Sequence, residues 1–87
     1  MTEARDIRIK RMKMRSMRRG IKEMDLILSA YADRNLDTMD VAGLDQYDAL
    51  LNENDQDLYQ WVTGQVPPPD ALSDLIADIA QTFQKEG

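Results

Sequence analysis

The chain has 87 residues, a net charge of −5 and neither histidine nor cysteine. A chain of this length can bury one core but can hardly divide it, so we predict a single domain over residues 1–87. The missing residue types exclude imidazole bases, thiolate nucleophiles, disulfides and ordinary zinc sites, and we expect no enzymatic activity.

The charge is unevenly distributed along the chain. Residues 1–23 carry nine Lys and Arg against three acids, whereas residues 24–87 carry two against thirteen. The two parts are therefore expected to face different surroundings. No run approaches the roughly 20 apolar residues that span a bilayer, so we expect no membrane insertion. The lack of a disulfide framework suits a reducing compartment, and we predict a cytoplasmic protein.

The first predicted helix covers about residues 4–18, a stretch of good helix formers without Gly or Pro. Ile7, Met14 and Met17 share one side, which we predict to be its thin apolar face. Gly20 is then predicted to end the helix in the left-handed conformation. A basic stripe follows another side at spacings of three and four and consists of Arg8, Arg11, Arg15 and Arg19.

The second predicted helix covers about residues 21–32, and residues 34–37 are predicted to form a turn. Glu23 falls in the first turn of this helix and is expected to reach back to the backbone at Gly20, as in a capping box. The apolar side chains recur at helical spacing and are Ile21, Met24, Ile27, Leu28 and Tyr31.

Three further helices complete the predicted fold, at about residues 38–51, 55–63 and 70–84. Their expected caps are Asp37 or Thr38 for the third helix, Asp55 for the fourth and Asp70 for the fifth. Gly64 is predicted to stop the fourth helix, Trp61 is expected to lie in the core, and the three prolines at 67–69 enforce an extended link. No segment has a strand pattern, so we predict an all-α fold, a small five-helix bundle.

The basic stripe has three interpretations, which remain open at this point. It could contact nucleic acid, but the chain is acidic overall and the stripe has no aromatic side chains to stack on bases, so no nucleic-acid partner is expected. A membrane-surface helix would need a bulkier apolar face. The third interpretation is intramolecular, with the arginines paired to the acids of residues 24–87.

Two other residue groups are interpreted as structural. The Asp-rich stretches lack the Gly and distal Glu of a calcium-binding loop, and helix capping explains them, so no metal site is predicted. Methionines 12, 14, 17 and 24 are more typical of an adaptable core than of a binding groove.

Residues 18–25, with the sequence RRGIKEMD, differ from both groups. They place Gly at a bend between two helices, with two arginines before it and two acids after it. A purely structural corner does not need the arginines. We therefore predict that guanidinium and carboxyl groups face outward here, toward another polypeptide.

At this corner the sequence resembles the succinate dehydrogenase FAD-assembly factors, called SdhE in bacteria. The family's RGxxE signature is matched by Arg19, Gly20 and Glu23 and is extended by Asp25 and Leu28. A second block resembles the family's leucine pair and acidic-Leu-Trp element, and it consists of Leu50, Leu51, Asp55, Asp57, Leu58 and Trp61.

The resemblance implies a helper of the bacterial cytoplasm that promotes covalent FAD attachment to the flavoprotein subunit of succinate dehydrogenase, with fumarate reductase as a candidate second client. It implies that the helper binds no cofactor stably and that the signature faces the client. The expected partner-binding residues are Arg19, Gly20, Glu23, Arg15, Asp25, Arg8 and Arg11. We expect a monomer. The alternative is an antitoxin-like or TPR-like helical adaptor that binds some other protein.

Overall fold

Five α-helices follow one another along the chain: α1 (Arg5–Met17), α2 (Lys22–Asn35), α3 (Val41–Leu51), α4 (Asp55–Val62) and α5 (Ser73–Glu86). The computed structural model describes residues 4–17 and 19–86, with side chains up to Phe83. Two short 3-10 helices, Leu36–Thr38 and Asp70–Leu72, precede α3 and α5. These residues include no strand, and the predicted all-α fold of five helices is confirmed. Arg18, the predicted end of the first helix, lies outside the described residues.

Helix α2 lies at the centre of the fold. It packs against α1 on one side and against α4 and α5 on the other, while α1 also contacts α3. Helix α2 can contact these neighbours because its buried apolar side chains form a broad stripe along the helix. The side chains that it buries are Met24, Ile27, Leu28, Tyr31 and Ala32.

The predicted apolar face of α1 is wrong. Ile9 and Met12 are buried instead, together with Ser16, whereas Ile7, Met14 and Met17 are exposed. The inward side is the one on which Ser16 Oγ can donate to the Met12 carbonyl at 2.8 Å and lie 2.6 Å from the Tyr47 hydroxyl. Of the four methionines assigned to the core, Met12 and Met24 are therefore buried, and the other two are on the surface.

Several helix ends differ from the sequence predictions. Residues 34–37 continue α2 into a 3-10 helix, because the helical path carries Leu36 into complete burial. Helix α3 is capped by Asp40, whose carboxylate accepts from the Gly43 amide at 2.8 Å, and not by Asp37 or Thr38. Asn54 caps α4 in place of Asp55, and no side chain caps the 3-10 helix that begins at Asp70.

The end of α4 follows the prediction. Gly64 has a φ of 83°, the left-handed conformation that glycine adopts without steric cost, and the helix stops two residues earlier. Trp61, expected in the core, is half-buried at its edge. The fifth helix buries Leu75, Ile76 and Ile79 but leaves Phe83 at the surface, 42% exposed.

Two tyrosines stack in the core and tie α2, α3 and α5 together. The ring centroids of Tyr31 and Tyr47 lie 5.9 Å apart at an interplanar angle of 25°. The Tyr31 hydroxyl donates to the Asp78 carboxylate at 2.6 Å. Burial raises the pKa of Tyr47 to about 12, and burial together with the Asp78 carboxylate raises that of Tyr31 further.

Met12→Ala should destabilise the fold by about 2 to 4 kcal/mol, because it removes a side chain that is 2% exposed and leaves a cavity. Met14→Ala, two residues away on the same helix but 45% exposed, is the matched control and should change stability by at most about 0.5 kcal/mol. Urea denaturation measures both. Equal losses would contradict the observed face of α1.

Alkaline pH should destabilise the fold through Tyr47. An unfolded tyrosine ionises near pH 10, whereas the folded side chain holds its proton to about pH 12. Its contribution is therefore complete below about pH 10 and is lost as pH rises through the folded value. Urea midpoints at pH 8 and pH 11 measure this loss. Tyr47→Phe, less stable at pH 8 through the lost Ser16 contact, should show a smaller decline between the two pH values.

Candidate functional site

The corner between α1 and α2 (residues 19–21) lies against the corner between α3 and α4 (residues 52–54). The Asp55 side chain joins them, because its Oδ1 accepts from Arg19 Nε at 2.6 Å and its Oδ2 accepts from the Gly20 amide. The Arg19 and Asp55 side chains are only 11% and 16% exposed. Two segments separated by more than 30 residues are thus held together by one carboxylate.

The Arg19 guanidinium also satisfies backbone carbonyls at the end of α3. Its Nη1 donates to the Leu51 carbonyl at 2.9 Å and its Nη2 to the Glu53 carbonyl at 3.0 Å. The last carbonyls of a helix have no partner within the helix and carry partial negative charge, which a guanidinium complements. The planar fork of donors in Arg can reach carbonyls and carboxylate at the same time, whereas Lys could not do so with the same geometry.

The prediction that Arg19 faces outward is therefore wrong. Its hydrogen-bonding groups point at three acceptors of the same chain, and little of the side chain meets solvent. The sequence pattern shows that a guanidinium flanks the bend. It does not show that the end of α3, more than 30 residues further along the chain, presents carbonyls at that place.

Gly20 is required by close approach and not by a left-handed backbone. Among the described residues Gly64 is the one glycine with positive φ, so the predicted left-handed conformation of Gly20 is wrong. A Cβ atom built at Gly20 would lie 3.0 Å from the Asp55 Oδ2 atom. A side chain at this position would therefore require the Asp55 carboxylate to shift by a few tenths of an ångström relative to the backbone amide that it holds.

Glu23 lies in the first turn of α2 and is exposed. The predicted capping box is wrong, since Ile21 occupies the N-cap position of α2 and no side chain caps it. The Gly20 amide is bonded by Asp55 instead. The carboxyl group of Glu23 thus faces outward, as predicted for this part of the corner, and Asp25 beside it is half-buried.

A polar groove of about 510 Å³ runs between the two corners. One bank is the segment from Arg19 to Ile21, and the other includes Glu53, Asn54 and Gln56. Glu53, Asn54 and Gln56 are all exposed, and Asp55 also lines the groove. The groove is therefore lined mainly by polar groups.

Two other arginines of the predicted stripe, Arg8 and Arg15, lie on the side of α1 that faces α3. Arg8 Nη2 lies 2.6 Å from Asp45 Oδ1, and Arg15 contacts Asp48 Oδ1 at 2.6 Å and Asn52 Oδ1 at 2.8 Å. Much of the charge asymmetry of the sequence is therefore matched within the fold. The intramolecular interpretation of the stripe, left open by the sequence, is the one that the structure supports for these residues.

The outer side of α1 combines cations with apolar side chains. Arg11 is exposed and lines an open groove of about 440 Å³ with Met14, Arg15 and Arg19. Met17, at the end of the helix nearest the corner, is 59% exposed. The predicted apolar side of α1 thus exists, but it faces solvent.

Two other kinds of site can be judged for the residues that the structure describes. Their acidic side chains do not gather into a group that could hold a metal ion. None of the helices in that part of the chain has the length and apolar character needed to cross a bilayer.

Sequence reasoning missed Asp55 as part of the site. Its position at the start of α4 suggested a helix cap, a role that Asn54 fills by accepting from the Gln56 amide at 2.8 Å. An available signal was the presence of two cap-competent residues in succession, Asn54 and Asp55, of which one helix can use only one as N-cap.

Comparison with known proteins identifies relatives. Residues 10–83 match the sequence profile of the Sdh5 family, described as "Flavinator of succinate dehydrogenase". A protein of Danio rerio named "Succinate dehydrogenase assembly factor 2, mitochondrial" is 40% identical over 85 residues, which cover 95% of this chain and 54% of that protein. A Meyerozyma guilliermondii protein of the same name is 39% identical over 97% of this chain and 63% of its own length. The chain thus spans about half to two thirds of the length of these two relatives.

Arg19→Ala should lower the free energy of unfolding by about 2 to 4 kcal/mol, because it strands a largely buried carboxylate and two carbonyls. Arg8→Ala, on the same helix and paired to the exposed Asp45, is the control and should cost about 1 kcal/mol or less. Thermal and urea unfolding measure the difference. Similar losses in both variants would contradict the burial of the Arg19 contacts.

Proposed function

Because the chain belongs to the Sdh5 family of succinate dehydrogenase flavinators, we propose that it is a non-enzymatic assembly factor that promotes covalent attachment of FAD to the flavoprotein subunit. We propose fumarate reductase as a candidate second client, in addition to succinate dehydrogenase. The observation that carries this proposal is the family match, which covers residues 10–83 and includes the whole α1–α2 corner.

The residue inventory supports a helper that acts without chemistry of its own. The chain offers no imidazole and no thiol, so it brings no usual base or nucleophile to the flavin. The client supplies the attachment residue and binds FAD. The helper contributes by binding more tightly to the client conformation that is competent for attachment. This difference in affinity raises the population of that conformation.

We propose that the client contacts the α1–α2 corner and the groove beside it. Glu23 supplies an exposed carboxylate in the first turn of α2, Asp25 two residues later is half-buried, and Gly20 before them is exposed. Arg11 and Met17 continue this surface along α1. Arg8 and Arg15 lie at the edge of the proposed contact surface, and their side chains are 26% and 40% exposed.

Arg19 enters the proposal in a different role from the one expected. With 11% of its side chain exposed and its donors committed to Asp55, Leu51 and Glu53, it supports the corner from behind. Its loss would move the residues that face the client. Client binding can therefore depend on Arg19 even though its side chain is largely buried.

The bacterial cytoplasm is the compartment that we propose. The relatives are eukaryotic and are named as mitochondrial, and the absence of cysteine in this chain fits a reducing compartment.

We also propose that the factor works as a monomer and that FAD stays with the client. The pairing of Arg8 and Arg15 with acids of α3 favours a protein partner over nucleic acid.

Glu23→Ala should raise the helper concentration needed for half-maximal flavinylation about tenfold or more, because a charge-assisted hydrogen bond to the client is lost. The measurement is in-gel flavin fluorescence of the denatured client after incubation with FAD and increasing helper. Asp33→Ala, an exposed acid near the other end of α2, is the matched control and should behave as wild type.

Both variants should melt within a few degrees of the wild type, since both side chains are on the surface. If the client carries the same amount of covalent FAD with and without the wild-type helper, the proposed function is wrong. Helper-dependent covalent FAD that is unaffected by Glu23→Ala would remove Glu23 from the contact surface.

A further inference from the structure

The Asp55 carboxylate is the hub between the two corners. One oxygen accepts from the Arg19 side chain and the other from the Gly20 backbone. The side chain is 16% exposed, so most of it is withdrawn from solvent and from an incoming client. Both of its oxygens are committed to Arg19 and Gly20, so its influence on binding acts chiefly through those two residues.

The local structure of α4 does not need this carboxylate. Asn54 already caps the helix through the Gln56 amide. Asp55 is the first residue of α4, where a negative charge is favoured by the helix dipole, but Asp57 supplies a second acid to the same turn. The two hydrogen bonds that the Asp55 carboxylate accepts both come from the α1–α2 corner.

The geometry links Asp55 to the exposed carboxylate of Glu23. Gly20 precedes Ile21, which occupies the N-cap position of α2 in an extended conformation and packs against the core. Glu23 follows within the first turn. Because so few bonds separate Gly20 from that turn, fixing the Gly20 amide fixes where α2 begins and which way Glu23 points.

We propose that Asp55 is a positioning residue for client binding: it sets the α1–α2 corner so that Glu23 and the Gly20 backbone meet the flavoprotein. The inference rests on the proposed function. It also explains the glycine, since the space that a Cβ at residue 20 would fill is taken by the Asp55 carboxylate at 3.0 Å.

The test is a double-mutant cycle between Asp55→Asn and Glu23→Ala, read as the helper concentration for half-maximal covalent FAD. Asn keeps the size of the side chain but turns one acceptor into a donor, which opposes either the Arg19 Nε–H or the Gly20 N–H. Each single variant should raise the half-maximal concentration about tenfold. The double variant should be about as weak as either single variant, because in both the Glu23 carboxylate no longer reaches the client.

Asp57→Asn is the matched control, an exposed acid in the same turn of α4, and it should leave the half-maximal concentration unchanged. Amide hydrogen exchange gives a readout that general destabilisation would not produce. In Asp55→Asn the Gly20 amide and the first turn of α2 should exchange faster, while the Leu28 amide in the middle of α2 keeps its wild-type rate.

Three results would overturn the inference. The first is a wild-type half-maximal concentration in Asp55→Asn. The second is a double variant whose half-maximal concentration rises by the product of the two single effects. The third is an Asp55→Asn chain that no longer folds, because Asp55 would then support the whole fold. A wild-type helper without effect on covalent FAD would instead count against the proposed function. Faster exchange at Gly20 would still show that Asp55 fixes the corner.

Discussion

The ion pair between Arg19 and Asp55 is the contact on which the arrangement of the two helix corners depends. It brings together a guanidinium, a carboxylate, a glycine amide and the carbonyl end of α3. Each group in this set would be costly to bury alone, since an unpaired charge or backbone group loses its hydration. Together they satisfy one another, and the corner can be rigid although it lies at the surface.

A rigid corner has a functional consequence for a helper without catalytic groups. Binding that must hold a client in one conformation is weakened by every degree of freedom that is frozen on contact. In this chain the ordering is built into the free protein, because residues of α4 fix the start of α2. In the function that we propose, the exposed carboxylate of Glu23 would then meet the client without a further conformational cost at the corner.

Part of the charge asymmetry has a structural explanation, because several basic residues of α1 pair with acids of the same chain. Arg8 and Arg15 neutralise acids of α3, and such exposed pairs contribute little to stability. They do orient α1 by keeping its basic edge on α3. The outer side with Ile7, Met14 and Met17 is then directed to solvent, where an apolar surface on a small protein is typical of an interaction site.

The sequence alone determined the helix count, the absence of a strand pattern, the stop of α4 at Gly64 and the family of the corner motif, because these follow from periodicity, backbone preferences and short spacings. The tertiary structure alone decided which side of α1 is buried and that Arg19 turns inward. Both depend on groups distant in sequence, the Tyr47 hydroxyl for α1 and the Asp55 carboxylate with the α3 carbonyls for Arg19. Local spacing shows that a side chain can reach a corner, but its direction is set by the acceptors that the rest of the chain brings there.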